Sequence, residues 1–267
     1  MKQPKIIFFD IDGTLTSSIT GDIPQSAIDA IAQLKAQGIH IIAATGRPYS
    51  MCGALKDLGF DTFITANGAY VCQYDNVLYS ANVDTAFQQQ VMTLAETNGH
   101  AMTFYCEDFF YNGLDTPQLA YALHDAFMLD ATPKQLPSPM YPTNLMCLIA
   151  TEDQMTPYID AFPDVTFQRW HETIVTVLTE PVSKSRAIAE VLKAYHCTPE
   201  EAMAFGDGYN DIDMLAYVGF GVAMGNAPDV VKAHAEYVTV PAHDGGIMHA
   251  LQHLGVITSN LSFIDGQ

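Results

Sequence analysis

Three short apolar runs in this chain each stop dead at a polar cluster, and that arrangement constrains the fold more than any other feature. Ile6-Ile7-Phe8-Phe9 runs into Asp10-Ile11-Asp12-Gly13-Thr14. His40–Ala44 runs into Thr45-Gly46-Arg47, and Ala202–Phe205 runs into Gly206-Asp207-Gly208-Tyr209-Asn210-Asp211. An apolar run without alternation reads as a strand covered on both faces, the condition of a parallel sheet packed between helices. Between the first two runs, Ile28, Ile31 and Leu34 recur at helical spacing and Gly38 closes the segment. Strand, helix, strand is the opening of a parallel βαβ arrangement. Weaker strands are expected at Thr62–Thr65, 219–223 and 237–240, and a helix after Pro181 carries Ile188, Val191, Leu192 and Tyr195 on one face.

The middle of the chain keeps a different rhythm. A helix over 84–98, strands over 100–106 and 109–112, and a helix through Ala120, Leu123 and Phe127 lead to a proline-rich connector at Pro133, Pro137, Pro139 and Pro142. A strand over 145–150, a short helix over 153–161 and a hairpin over 165–170 and 173–179 follow. Hairpins mixed with helices indicate an α+β module with an antiparallel sheet. The fold class is therefore α/β, a doubly wound, mostly parallel Rossmann-like core with an inserted α+β cap. The expected division is a discontinuous core of residues 1–81 and 183–267 and a cap of residues 82–182, with the last eight residues fraying.

Composition narrows the partners. The 267 residues are 49% hydrophobic and 15% charged, which suits a globular chain with a sizeable core. Thirty acidic against eleven basic side chains give a formal charge of −19, which argues against nucleic acid and anionic membrane. The same field repels phosphorylated molecules at long range, so an anion site must be built from a few local positive groups. Five scattered cysteines contain no C-x-x-C pair, and no stretch approaches a signal-peptide core or a membrane span. A cytoplasmic protein is expected.

In open α/β sheets the ligand crevice lies at the carboxyl ends of the strands. That rule gathers Asp10, Asp12, Asp207 and Asp211 into one crevice, where their mutual repulsion calls for a cation. Hard oxygen ligands, with phosphate and water completing the shell, suit magnesium. Of two carboxylates spaced two residues apart, one can attack phosphorus while the other carries protons. Alone, each segment has a plainer reading: a calcium loop or acidic turn for D-x-D-G-T, a helix cap for Thr45-Gly46-Arg47, a glycine-rich turn for the third. Lys184 stands at the start of a helix, where a cation is disfavoured unless an anion binds beside it. His249 and His253 have zinc-like spacing but no third ligand in sight, and are read as ordinary histidines. Phe104, Tyr105, Phe109, Phe110 and Tyr111 are read as the buried face of a cap hairpin. Trp170 and His171, near a hairpin tip, and Arg47 are candidates for facing the substrate.

These segments, in this order and around a mixed cap, resemble the haloacid dehalogenase superfamily and within it the Cof-type phosphatases. Thr65-Ala66-Asn67-Gly68-Ala69 and Val222-Ala223-Met224-Gly225-Asn226-Ala227 add to the likeness. The resemblance implies Asp10 as nucleophile and Asp12 as general acid and base. It implies Mg2+ held by the Asp10 and Asp207 carboxylates and the Asp12 main-chain carbonyl, with Asp211 supporting the metal indirectly. Phosphate would be held by the Ile11 amide, Thr45, Gly46, Lys184 and Asn210. One departure is Ser185, where the family usually has glycine after the lysine. The expected activity is hydrolysis of a small phosphate monoester, a sugar phosphate or a phosphorylated cofactor such as pyridoxal phosphate or flavin mononucleotide. A phosphomutase on the same scaffold and a non-catalytic sensor of phosphorylated metabolites are the rivals.

Overall fold

The structure, a computed structural model, describes residues 3–74 and 76–258. The last eight residues lie outside the described residues. The chain divides into two compact units, one made of residues 1–45, 54–78 and 183–267, the other of residues 46–53 and 79–182.

The first unit is built on an eight-stranded sheet, whose edge strand runs past residue 78 into residues of the second unit. In spatial order its strands are Tyr237–Val238, Phe220–Ala223, Ala202–Gly206, Ile6–Phe9, His40–Ala44, Thr62–Thr65, Tyr70–Gln73 and Asn76–Ser80. The first six are parallel, and Tyr70–Gln73 runs antiparallel to Thr62–Thr65. Ile6, Ile7, Phe8 and Phe9 are all fully buried, as an unbroken apolar run at the centre of a sheet requires. Burying each such side chain contributes roughly 1.5–3 kcal/mol before conformational entropy is counted. The chain leaves Ile6–Phe9 for a neighbour on one side, His40–Ala44, and returns later to the other side at Ala202–Gly206. The carboxyl end of Ile6–Phe9 is thus a topological switch point, where the two connections part and leave a crevice.

The helix Lys184–Ala194 packs by burying Ala187, Ile188, Val191 and Leu192, a stripe at helical spacing. Its first turn is capped by Ser183, whose hydroxyl accepts from the Arg186 amide at 3.2 Å. The strands at 70–73 and 76–80 were not expected, because Tyr70 and Gln73 are half-buried and 76–80 is mostly exposed, so neither carries a strong apolar pattern.

The second unit holds a six-stranded sheet in the order Thr166–His171, Ile174–Leu178, Leu145–Ile149, Met102–Tyr105, Phe109–Tyr111 and Lys134–Gln135. All neighbours are antiparallel except Phe109–Tyr111 with Lys134–Gln135. The last strand falls inside the stretch read as a connector, and its two residues are exposed. Met102, Phe104, Met146, Leu148, Val175 and Val177 form a core with Val91, Met92 and Ala95 of the helix Thr85–Asn98 and Tyr158 of the helix Thr156–Ala161. The aromatic cluster does not lie on one face. Phe104 pairs with Phe110 in that core, whereas Tyr105 pairs with Phe109 on the opposite face, against Phe127. Side chains alternate across a strand, so adjacent aromatics must part company. No helix among the described residues is long and apolar enough to cross a membrane.

Candidate active site

Asp10 is the first residue past the central strand, and its amide donates to the Phe205 carbonyl at 2.9 Å. That bond continues the ladder one step beyond the strands and sets Asp10 beside Gly206 and Asp207. Below it the Phe9 and Phe205 rings stack at 5.2 Å, a rigid floor. The two acidic segments, nearly two hundred residues apart in sequence, therefore leave the sheet side by side.

Lys184 joins them. It is fully buried, and its Nζ donates to Asp10 Oδ1 and to Asp211 Oδ1, each at 2.6 Å. Lys184 is thus not a solvated surface lysine. Burial opposes the ammonium charge, but the Asp10 and Asp211 carboxylates outweigh it and hold the lysine above its ordinary pKa. Asp211 Oδ2 accepts from the Asp207 and Gly208 amides at 2.9 and 2.8 Å. Both Asp211 oxygens are thus occupied, one by an ammonium and the other by two backbone donors, and the residue closes the turn that presents Asp207.

Asp207 is gripped differently. Thr14 Oγ1 donates to its Oδ1 at 3.0 Å and Asn226 Nδ2 donates to its Oδ2 at 3.0 Å. Gly13 lies directly beneath: its φ is +83°, and a Cβ there would come within 2.3 Å of Asp207 Oδ2. Only glycine permits both that backbone angle and that close approach.

The electrostatics are unbalanced. Burial, with the Asp211 charge next, pushes the Asp10 carboxyl well above the usual carboxylate range against the pull of Lys184. Burial and Asp211 also push Asp207 up to about 6, opposed by the Thr14 hydrogen bond. One ammonium does not neutralise three clustered carboxylates. Asp10, Asp207 and Asp211 each offer an oxygen within 4.8 Å of the others, an all-oxygen set that fits a hard divalent cation. Asp211 accepts three hydrogen bonds, one of them from the ammonium, whereas Asp207 accepts one neutral side-chain donor on each oxygen and Asp10 accepts Lys184 on Oδ1, so Asp10 and Asp207 keep more capacity for a cation. Among the described residues His249 and His253 join no such set: their rings stack on each other, and His253 also stacks on Tyr237.

The remaining candidates are placed as follows. Asp12 is exposed and bridges to Thr16, and Ile11 is buried with its carbonyl accepting from Thr16. Thr45 is buried at the end of its strand, its amide bonded to Ile64 and its carbonyl to the Asn67 amide. Asn210 is exposed and donates to Asn67 Oδ1 at 2.9 Å. Ser185, the departure from the family pattern, donates its amide to Asp213 Oδ2 at 2.8 Å. Gly46 and Arg47 follow Thr45 directly and fall in the second unit, both half-buried. Trp170 is half exposed, with its indole N–H donating to Thr176. His171 already spends both ring nitrogens, on Thr173 and Asp125. Thr14, Asn67 and Asn226 were not singled out from sequence. The signal was there, since each lies within a segment noted for other reasons.

A family model of haloacid dehalogenase-like hydrolases matches residues 7–251. YkrA of Bacillus subtilis (strain 168) is 33% identical over 264 residues, covering 95% of this chain and 98% of its own length. A solved protein from Geobacillus kaustophilus HTA426 is 34% identical, covers 95% of this chain and 100% of its own, and superposes with a TM-score of 0.87. The subclass IIB sugar phosphatase BT4131 is 32% identical over the same shares, with a TM-score of 0.79.

Proposed function

The chain belongs to the haloacid dehalogenase-like hydrolase family, and from that premise we propose that it is a Mg2+-dependent phosphatase of small phosphate monoesters working through an aspartyl-phosphate at Asp10. The observation that carries the reading is the fully buried Lys184 ammonium held between the Asp10 and Asp211 carboxylates at a strand-end crevice. A buried lysine in such a place holds the nucleophile in one rotamer and offers positive charge to an incoming phosphoryl group in a chain of net charge −19.

Asp10 attacks phosphorus, forming a carboxyl–phosphate bond as the bond to the leaving oxygen breaks. Asp12, exposed two residues on, gives its proton to that oxygen and the alcohol departs. Asp12 then takes a proton from water, whose oxygen attacks phosphorus and frees Asp10 and orthophosphate. The Ile11 amide, Thr45, Gly46, Asn210 and Lys184 would hold the phosphate oxygens. A Mg2+ bound by the Asp10 and Asp207 carboxylates and the Asp12 carbonyl would draw charge from the transferring group. The second unit would act as the cap that selects the leaving group, with Arg47, Trp170 and His171 as its candidate contacts. A sugar phosphate is the favoured substrate class, supported by the likeness to a sugar phosphatase.

Release of phosphate from p-nitrophenyl phosphate tests this directly. Turnover should require Mg2+, stop with EDTA, and vanish in a folded Asp10→Asn variant. Undiminished release after chelation removes the metal from the reading, and undiminished release by Asp10→Asn removes the nucleophile.

A further inference from the structure

Asn226 stands in a segment to which the reaction above assigns no task, yet its side chain uses both ends of its amide inside the acidic cluster. Its Nδ2 donates to the Gly13 carbonyl at 2.8 Å and to Asp207 Oδ2 at 3.0 Å. Its Oδ1 accepts from the Ala242 amide at 3.0 Å. An amide nitrogen has two hydrogens, and here each has an acceptor, while the oxygen is anchored from behind by backbone. The side chain cannot flip without losing all three bonds.

That fixed amide spans the turn after Asp10, the carboxylate of Asp207 and the loop at 241–242. With Thr14 on the other oxygen, Asp207 is held by two neutral donors. Lys184, the cation of the cluster, bonds Asp10 and Asp211 instead. The distinction matters chemically. A neutral donor fixes the torsion of a carboxylate without setting a positive charge beside it, whereas an ammonium offsets part of the negative charge, as Lys184 does at Asp10. Close packing of Gly13 under Asp207 Oδ2 blocks the carboxylate from turning away on that side.

We infer that Asn226 is a positioning residue, which aims the Asp207 carboxylate at the divalent cation and ties it to the turn that carries Asp10 and Asp12. This rests on the metal reading of the preceding subsection. Partners that orient a metal ligand typically govern affinity by about ten- to a hundredfold.

The test is calorimetric titration of MgCl2 into the wild type, Asn226→Ala and Asn226→Ser, with thermal unfolding of the metal-free proteins and steady-state kinetics on p-nitrophenyl phosphate alongside. Mg2+ binding should weaken by about ten- to a hundredfold in both variants. Turnover should recover towards the wild-type kcat as Mg2+ is raised to saturation. The serine variant keeps a small polar side chain and carries the test should the alanine variant fail to fold. Wild-type Mg2+ affinity in a folded variant overturns the inference, even if its metal-free melting temperature falls, because that pattern marks a purely structural asparagine. Absence of Mg2+ binding by the wild type overturns the metal reading itself.

Discussion

Lys184 bears on stability as well as on chemistry. Its ammonium is fully buried between two carboxylates, with Asp207 close by. Removing one partner of a buried ion pair leaves charge uncompensated and typically costs about 3–5 kcal/mol. Lys184→Met should therefore lower the unfolding free energy of the Mg2+-free protein by that order at neutral pH, as read from urea unfolding. The loss should shrink on acidification. Carboxyls whose folded pKa is raised, as for Asp10 and Asp207, bind more protons folded than unfolded, so stability falls as pH rises through their range and returns as pH falls. Urea titrations in EDTA at pH 7.5 and pH 5 check it. Equal losses at both would mean that carboxylate repulsion is not what the lysine relieves.

Strained connections between elements hold the same site together. Ala66, Asn67 and Gly68 have φ of +51°, +55° and +100°, three left-handed residues in a row after the strand Thr62–Thr65. Asn67 bonds the Thr45 carbonyl through its amide and Asn210 through its side chain. A Cβ at Gly68 would stand 2.2 Å from the Ser183 carbonyl, at the start of the lysine-bearing helix. Gly68→Ala should destabilise the protein by about 1–3 kcal/mol and raise KM, read by urea unfolding and p-nitrophenyl phosphate kinetics. In the second unit, His100 Nδ1 meets the Tyr158 hydroxyl at 2.7 Å, linking the sheet to the helix Thr156–Ala161. Burial lowers the His100 pKa below its ordinary 6.5. A depressed histidine binds fewer protons folded than unfolded, so its contribution is present above pH 6.5 and is lost as pH falls through the window below it. His100→Gln should flatten the decline of melting temperature over pH 7 to about 5.5, a range set by the ordinary histidine pKa.

For the whole molecule, the net charge of −19 opposes its own proposed substrate. Salt shortens the Debye length from about 30 Å at 0.01 M to about 8 Å at 0.15 M, and screens exposed charges more than buried ones. The long-range repulsion should fade while the buried Lys184 cluster keeps its local pull. KM for an anionic monoester should fall as NaCl rises over that range at fixed Mg2+, with kcat little changed. A rising KM would show that local attraction to exposed cations, rather than the global field, governs capture.

Much of this protein was legible one residue at a time. Apolar runs ending in carboxylates mark buried parallel strands, because only a strand covered on both faces tolerates such a run, and polar residues there must sit at its end. The acids, the glycine of the first turn and the lysine could be singled out on that ground. Other features depended on contacts between distant segments. No local pattern announces that Lys184 is wholly buried, that Asp211 spends both oxygens inside its own turn, or that Asn226 grips Asp207. The strands Tyr70–Gln73 and Asn76–Ser80 likewise escaped, since their partly exposed residues carry little periodicity. Periodicity reports which face of an element is buried. It does not report what lies against that face, and the electrostatics of this site are set by what lies there.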